Sequence, residues 1–357
     1  MTLLIVDGYD YFPSSGISTV GAAMGWYDAA RVNASSTTAF GYGKSLAWSA
    51  TGNSNVRYRQ ARDRYTSDNV YVIGHRAYMP TNAGGLYIGV YDSFSTSQLQ
   101  WYLDFTSDGS IWLYTGGGTL QAKTKSGVFI PQKWFYLEIK FQPGTSSFFE
   151  LRVNTVPVLS MTTAVLSRGS LIAPATLPGF DVFYEYVQNI SSNSASVLWD
   201  DFYFLDDQGS VNNDYLGNVR VKYQAIIGED STEWSIGGSS PAATNWQSVL
   251  NTALDDTQYV YDSVVGHQDW YNPDPNLNTP FVYGFELTGA YRMDDATQRV
   301  VRTNYKTSLG SVGNGGDKYI NQSYTFYPDI HEINPDTGVQ FTGAEVNSLL
   351  IGPEVVT

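Results

Sequence analysis

The chain contains no cysteine and only three histidines among its 357 residues. The lack of cysteine excludes disulfide bonds, thiolate nucleophiles and cysteine-based zinc sites. Basic residues are scarce as well, because 20 lysines and arginines stand against 34 aspartates and glutamates and give a formal net charge of −14. Binding to a phosphate backbone needs a basic surface that releases counterions, so this balance excludes nucleic acid as a partner.

Long apolar runs are missing too. No stretch approaches the roughly 20 residues that cross a bilayer, so we expect no membrane insertion. The first apolar run, from Leu3 to Val6, is too short for the core of a secretory signal and lacks a basic start and a small-residue cleavage site. We therefore expect a first β-strand there, in a protein that is assembled in a cytoplasm.

Alternation of apolar and polar residues is the dominant pattern that is present. In residues 134–141 every second residue is apolar, from Phe135 to Phe141. This predicts a strand with one buried face and one solvated face, and the solvated face would carry Tyr136, Glu138 and Lys140. Helical periodicity is nearly absent from the chain, so the sequence predicts an all-β fold.

Turn signals divide the alternating segments into short strands. Asp108-Gly109 lies in a polar link between two such segments, which is typical of a β-hairpin. Many short strands joined in this way predict antiparallel β-sandwich domains of the jelly-roll-like kind. Because 357 residues exceed what one core usually supports, we expect two of them.

The polar, turn-rich residues 208–216 form the predicted linker between these domains. The first domain would then cover residues 1–207 and the second residues 217–357. Two short helical turns are also predicted in the second domain. One follows the capping-box spacing of Thr342 and Glu345, and the other covers residues 245–254.

No arrangement of residues predicts a catalytic site. Asp200 and Asp201 are adjacent, so on a regular strand they point to opposite faces and cannot flank one glycosidic bond. The three histidines are far apart, and the Gly-x-Ser-x-Gly motif of a nucleophile elbow does not occur. We therefore predict that the protein is not an enzyme. The alternative is a glycan depolymerase, which would pair Asp104 with Glu138 or Glu150 from separate strands.

Three aromatic residues on polar strand faces are candidates for stacking on sugar rings: Trp112, Tyr114 and Tyr136. The alternation places them opposite apolar neighbours such as Leu113. Packing against a neighbouring domain or subunit explains the same pattern, because exposed aromatic residues are found at interfaces of every kind.

Calcium is the one cofactor that the sequence allows. Residues Asp206, Asp207, Asn212, Asn213 and Asp214 concentrate hard oxygen ligands in one loop. The alternative is a solvated linker without any ion.

Six short segments resemble known proteins. TLLIVDGYDY at residues 2–11, NNDYLGNVRV at 212–221, and NPDTG at 334–338 with EVNSL at 345–349 are similar to the opening, domain junction and ending of a group of bacteriophage virion proteins. GVFIPQKWFYLE at 127–138 and LWDDFYF at 198–204 resemble strands of concanavalin A-like lectin/glucanase domains.

The resemblance implies a structural protein on the virion surface, as a tail fibre, tail appendage or capsid decoration. Its partners would be other virion proteins of the capsid or tail, and it would form a homo-oligomer such as a trimer. A receptor-binding lectin module that recognises host surface glycans is the alternative that the resemblance also allows.

Overall fold

The computed structural model describes residues 3–11, 32–38, 43–48, 54–59, 69–79, 86–91, 99–142, 147–166, 182–187, 197–250, 254, 256–294 and 298–357. The chain forms two compact units, Thr2–Val221 and Lys222–Thr357. Every strand pairing among the described residues is antiparallel.

The strands of the first unit are β1 Leu3–Asp7, β2 Val32–Ser35, β3 Ser45–Trp48, β4 Ser54–Arg59, β5 Tyr71–Tyr78, β6 Leu86–Tyr91, β7 Leu99–Phe105, β8 Ile111–Thr115, β9 Leu120–Lys123, β10 Trp134–Phe141, β11 Ser147–Val153, β12 Val156–Ala164, β13 Val182–Val187 and β14 Val197–Asp206. Sheet A has the order β12-β11-β10-β5-β14-β3-β2, with β1 also paired to β14. Sheet B has the order β4-β13-β6-β7-β8-β9.

Aromatic contacts join the two sheets across the core of this unit. Trp101 of sheet B lies 5.0 Å from Phe141 and 5.5 Å from Phe149 of sheet A, measured between ring centroids. All three rings are buried. The inner positions of β10, predicted from the alternation, are buried from Phe135 to Phe141. The predicted all-β fold of antiparallel sandwich domains is therefore confirmed.

The outer face of β10 is only partly solvated: the prediction is wrong for Tyr136 and Glu138, whereas Lys140 keeps 24% of its side chain exposed. Tyr136 and Glu138 have 0% and 1% of their surface exposed. Residues 214–221, here called the covering segment, bond to this face: the amide of Gly217 donates to Glu138 Oε1 (2.8 Å) and that of Val221 to Asp201 Oδ1 (2.8 Å). A segment far along the chain thus buries a face whose local pattern predicted exposure.

The covering segment also bears on where the first unit ends. The predicted linker, residues 208–216, overlaps the covering segment, and the compact unit extends to Val221. Asp214 forms an ion pair of 2.9 Å with Lys140 on β10. The chain therefore leaves the first unit several residues after the end of the predicted linker, because these residues bond to sheet A.

The elements of the second unit are β15 Ile226–Ser231, β16 Ser235–Gly237, α1 Asn245–Ser248, β17 Tyr259–Tyr261, β18 Trp270–Pro273, β19 Phe285–Tyr291, β20 Val300–Lys306, β21 Val312–Asn314, β22 Lys318–Tyr319, β23 Thr325–His331, α2 Gly343–Asn347 and β24 Leu350–Val355. Strands β15-β18-β24-β20-β21 form one sheet, with β22 also on β20, and β16-β17 and β19-β23 form two pairs. The core cluster consists of Leu287, Tyr305, Phe341, Val346 and Leu349.

Both predicted helical turns are present, and the first of them is shorter than predicted. At α2 the Thr342 side chain accepts from the Glu345 amide and the Glu345 side chain accepts from the Thr342 amide, so the predicted capping box is confirmed. Helix α1 is a single turn, shorter than the predicted 245–254, and residues 251–253 lie outside the described residues. Within the described ranges, no helix is long and apolar enough to cross a membrane.

Gly74 on β5 tests the tight packing under the covering segment. A Cβ at this position would lie 2.0 Å from the ring of Tyr203, and this ring is buried with its hydroxyl bonded to Glu138 Oε1 at 2.7 Å. We expect Gly74→Ala to lower the free energy of unfolding by about 1–3 kcal/mol, measured by urea denaturation. At Gly117, the nearest atom to an added Cβ is 3.7 Å away, so Gly117→Ala is the matched control. Equal stability of the two variants would contradict this account.

Candidate functional site

The outer side of sheet B carries a group of half-buried polar and aromatic side chains. Tyr102 and Asp104 on β7 and Trp112 and Tyr114 on β8 alternate with fully buried core residues of the same strands. Lys123 on β9 is exposed. These five residues are called the aromatic face below. They share one side of the sheet because strand residues at i and i+2 point the same way.

Cross-strand pairing brings the rings of the aromatic face together. Tyr102 lies opposite Tyr114, and their rings are stacked, with centroids 5.0 Å apart and planes 12° apart. Trp112 lies 6.3 Å from Tyr114, measured between ring centroids. The Nζ atom of Lys123 lies 5.6 Å from the centroid of the Trp112 ring. Trp112 thus lies between a tyrosine pair and an ammonium group.

Asp104 places a carboxylate within this aromatic surface. It lies directly opposite Trp112 in the β7–β8 register and two residues from Tyr102 on its own strand. Desolvation raises the pKa of both Tyr102 and Tyr114, and the negative charge of Asp104 raises them further. Both phenols therefore remain protonated donors at neutral pH, beside a carboxylate acceptor.

The β7–β8 turn fixes the orientation of Trp112. The indole N–H donates to Ser110 Oγ (2.9 Å), and Ser110 Oγ donates to Asp108 Oδ1 (2.8 Å). Asp108 also accepts from Ser126 Oγ (2.6 Å), and these hydroxyl bonds lower the pKa of Asp108. Gly109 has a φ of +78°, a conformation that favours glycine at a hairpin turn. The turn predicted from Asp108-Gly109 therefore also orients a side chain of the aromatic face.

The backbone register extends the two rows of the aromatic face across the rest of sheet B. The row of Tyr102 and Tyr114 continues through Gly89, Tyr184 and Arg57, and the row of Asp104 and Trp112 continues through Tyr87, Tyr186 and Asn55. Aromatic and polar residue types therefore predominate in both rows from edge to edge.

Aromatic rings beside hydrogen-bonding groups fit one class of ligand especially well. The C–H faces of pyranose rings pack on aromatic rings, while their hydroxyls need donors and acceptors at the edge. The aromatic face offers both, since phenol hydroxyls, a carboxylate and an ammonium surround the rings. Trp112 and Tyr114 were predictable as single residues. Tyr102, Asp104 and Lys123 join them through the register of the hairpin, which the position of the Asp108-Gly109 turn already indicated.

Tyr136, the third predicted sugar-stacking residue, is not part of this face, and its predicted exposure is wrong. It lies on sheet A, where its hydroxyl donates to the Asp201 carbonyl (3.2 Å) and the Arg76 guanidinium lies 5.1 Å from its ring centroid. Burial, together with the neighbouring carboxylates, raises the pKa of Tyr136 well above its usual value. The covering segment makes this ring inaccessible.

Asp200 and Asp201 share one environment, contrary to the prediction that they point to opposite faces. A β-bulge interrupts the pairing of β14 with β5 between Asp200 and Tyr203, and Asp201 has a φ of +52°. Asp201 bonds to Arg76 Nε (2.7 Å), whereas Asp200 accepts from the Asp201 amide (2.9 Å). Burial, then the charge of Asp201, raises the pKa of Asp200 well above its usual range. The extra residue of the bulge breaks the strict alternation.

This raised pKa predicts a loss of stability in alkali. A carboxyl whose pKa is higher in the folded state contributes stability at pH values below its ordinary pKa of about 4, and this contribution is lost as the pH rises. We expect the free energy of unfolding to fall by at least about 1 kcal/mol between about pH 5 and pH 9, and Asp200→Asn to reduce that fall.

Urea denaturation at both pH values measures this effect, with Asp214→Asn as control. The ion pair with Lys140 lowers the pKa of Asp214, so the stability that this carboxyl contributes is present at both pH values and is lost only in acid. Asp214→Asn should therefore lower stability about equally at both pH values and leave the size of the alkaline fall unchanged. An alkaline fall of equal size in Asp200→Asn and the wild type would contradict the assignment.

The carboxylate pairs predicted for the depolymerase alternative are not formed. Asp104 lies on the outer side of sheet B. Glu138 lies under the covering segment on sheet A, and Glu150, also on sheet A, bonds to Arg152 at 2.7 Å. The core of the unit separates Asp104 from both glutamates.

The predicted calcium ligands are engaged in other bonds. Asp206 Oδ1 accepts from the Gln208 amide (3.0 Å), Asp207 Oδ1 from Gln208 Nε2 (2.6 Å), and Asp214 pairs with Lys140. Asn212 has a φ of +52° in the same loop. Among the residues that the structure describes, no three His, Asp or Glu side chains are grouped to hold a metal ion.

The histidines do not form a site together. His75, expected on a surface or strand face, is buried in the core, 4.5 Å from the Trp199 ring between centroids, and burial lowers its pKa to about 3. His267 bonds to Asp262 at 2.9 Å, and His331 lies 4.7 Å from the Tyr305 ring between centroids.

Comparisons with known proteins give a likeness of fold. No protein-family model matches the chain, and no curated protein is similar in sequence. The solved alginate lyase Aly36B is similar over 61% of this chain and 98% of its own, with 8% identity and a TM-score of 0.35. The cellulose-induced protein Cip1 is similar over 56% of this chain and 96% of its own, with 12% identity and a TM-score of 0.39. An endo-β-1,4-glucuronan lyase from the fungus Trichoderma reesei is similar over 57% of this chain and 93% of its own, with 8% identity and a TM-score of 0.34.

These comparisons correct one prediction and bear on another. The prediction that the chain is not an enzyme is wrong, because two of the β-sandwich structures just named are polysaccharide lyases. The resemblance to sugar-binding and glucanase-like sandwiches is confirmed for the fold alone. Nothing in the comparisons supports the resemblance to phage virion proteins.

Proposed function

We propose that the first unit is a glycan-binding β-sandwich and that the aromatic face on sheet B is its binding surface. The observation that carries this proposal is the arrangement of Tyr102, Tyr114 and Trp112 as a half-exposed set of adjoining rings. A structural core would bury such rings completely, as it does Trp101 and Tyr136 on other faces of the same unit.

The fixed geometry of the rings supports this function. Tyr102 and Tyr114 hold each other by stacking, and Trp112 is held through Ser110 and the β7–β8 turn. A surface that is already ordered loses little conformational entropy when a ligand binds. The rings lie on strands rather than on a long loop, so their spacing is set by the sheet.

Polar groups at the rim supply the hydrogen bonds that a sugar requires. The phenol hydroxyls of Tyr102 and Tyr114 donate, the carboxylate of Asp104 accepts, and the ammonium of Lys123 donates beside Trp112. Whether the bound glycan is also cleaved is decided by the same binding experiment, when its products are analysed.

The virion location and the contacts with capsid or tail proteins stay predictions from the sequence. A surface glycan ligand is compatible with them, because host attachment is the alternative that the same resemblance implies.

Removal of the rings tests the proposal. We expect Trp112→Ala and Tyr114→Ala each to weaken binding at least tenfold, which corresponds to about 1.4 kcal/mol. The measurement is affinity electrophoresis and calorimetry with the full chain and soluble β-glucan, mannan, xylan, alginate and polyglucuronate. Chromatography of the same mixtures would detect released oligosaccharides.

Tyr319→Ala is the matched control, because Tyr319 is a 64% exposed tyrosine in the second unit. It should bind like the wild type. Unchanged binding by both sheet B variants, at unchanged thermal stability, would remove the aromatic face from the proposed function. The absence of binding to every glycan would end the proposal.

A further inference from the structure

Lys123 places a positive charge beside the ring on which a sugar would stack. It lies opposite Trp112 in the β8–β9 register. The residue is exposed, and its Nζ lies 5.6 Å from the centroid of the Trp112 ring. A substituent at the edge of a pyranose that stacks on this ring therefore comes within reach of the ammonium group.

The charge of Lys123 is not neutralised within the described part of the chain. There, Lys140 pairs with Asp214 and Lys318 with Asp329, whereas the Lys123 side chain forms no ion pair with a described carboxylate. This is notable because acidic residues outnumber basic ones by 34 to 20. Beside an aromatic ring, such an ammonium group is available to an anionic group of a ligand.

The strand that carries Lys123 is anchored by a side-chain amide. Gln121 Nε2 donates to the Val165 carbonyl (2.7 Å), and Gln121 Oε1 accepts from the Val165 amide (2.5 Å). These bonds tie edge strand β9 to the residue that follows β12 by one position. The backbone at Lys123 is therefore fixed relative to Trp112, and only the lysine side chain has to be ordered when a ligand binds.

The carboxylate of Asp104 lies on the other side of Trp112, because Asp104 is the β7 partner of this residue. Strands β7 and β9 are two strand spacings apart, roughly 9.5 Å, and the Debye length is about 8 Å at physiological salt. Lys123 and Asp104 therefore act on opposite edges of a stacked sugar. An acidic substituent on the β9 side is closer to the ammonium than to the carboxylate.

We propose that Lys123 gives the aromatic face a preference for glycans that carry carboxylate groups, and that the acidic substituent binds at the β9 edge. This inference rests on the proposed glycan-binding function and names its substrate class. The sugar ring would stack on Trp112 while its carboxylate accepts hydrogen bonds from Lys123 Nζ. Hydrogen bonds to an ionised acceptor are stronger than those to the hydroxyl of a neutral sugar.

Lys123→Gln tests this role, because glutamine removes the charge and keeps a side chain that can donate a hydrogen bond. The full chain and this variant are titrated by calorimetry with two matched pairs of probes: soluble β-glucan and its C6-oxidised form, and mannan and its C6-oxidised form. For the wild type we expect the acidic member of each pair to bind about three- to fivefold tighter, the range of an exposed ion pair. In Lys123→Gln we expect this ratio to fall to about one, while affinity for the neutral probes changes less than about twofold.

Two further variants and the salt dependence separate the local charge from a structural role. Lys123→Arg keeps the charge and should retain the preference. Lys133→Gln changes the net charge equally at an exposed residue next to β10 of sheet A, and it should behave as the wild type. The preference of the wild type should shrink as sodium chloride rises from about 20 mM to 500 mM, because screening weakens the attraction.

The possible failures are distinguishable. Wild-type binding to acidic probes that is equal to or weaker than binding to neutral ones would overturn the preference and leave glycan binding intact. An unchanged ratio in Lys123→Gln, or an equal fall in Lys133→Gln, would overturn the role of Lys123. No binding to any probe would overturn both the preference and the proposed function.

Discussion

Arg76 and Asp201 lie side by side under the covering segment, with 8% and 2% of their side chains exposed. Two charges removed from water are tolerated only when each has a partner and the remaining polar atoms are bonded. Arg76 therefore also donates to Asn218 Oδ1 (2.6 Å) and to the Val219 carbonyl (3.2 Å), and Asp201 accepts the Val221 amide. The partners come from the covering segment, so the outer face of sheet A and the end of the unit depend on each other.

The two outer faces of the sandwich therefore differ in how far their side chains are exposed. On sheet A, the covering segment satisfies Glu138 and Asp201 and hides Tyr136. On sheet B, the strands β7 and β8 keep Tyr102, Asp104, Trp112 and Tyr114 half-exposed. One face is covered by a segment of the chain itself, and the other keeps its rings half-exposed. The alternating sequence pattern is the same in both sheets. Alternation predicts only that a side chain points away from the core, and does not predict whether another segment covers it.

Local patterns could predict the strands and their inner faces, because burial of every second residue is a property of the strand itself. The alternation from Phe135 to Phe141 and the Asp108-Gly109 turn therefore predicted real elements. The cover over Tyr136 depends on residues about 80 positions later, in a stretch whose own composition indicates only turns. The bulge at Asp201 requires a left-handed backbone at a non-glycine residue, which alternation does not indicate. Sequence reasoning therefore named Trp112 and Tyr114, two of the five residues of the aromatic face, and predicted exposure for Tyr136, which is buried.

Orientation, more than exposure, distinguishes the aromatic face from an ordinary surface patch. A free Trp side chain on a strand would lose rotational freedom on contact with a ligand, and this loss would reduce affinity. In this protein the Trp112 side chain already loses that freedom on folding. The indole N–H donates to Ser110 Oγ, and Asp108 accepts hydrogen bonds from the hydroxyls of Ser110 and Ser126. Since the turn is closed by hydrogen bonds of the chain itself, the fold alone orients the Trp112 ring.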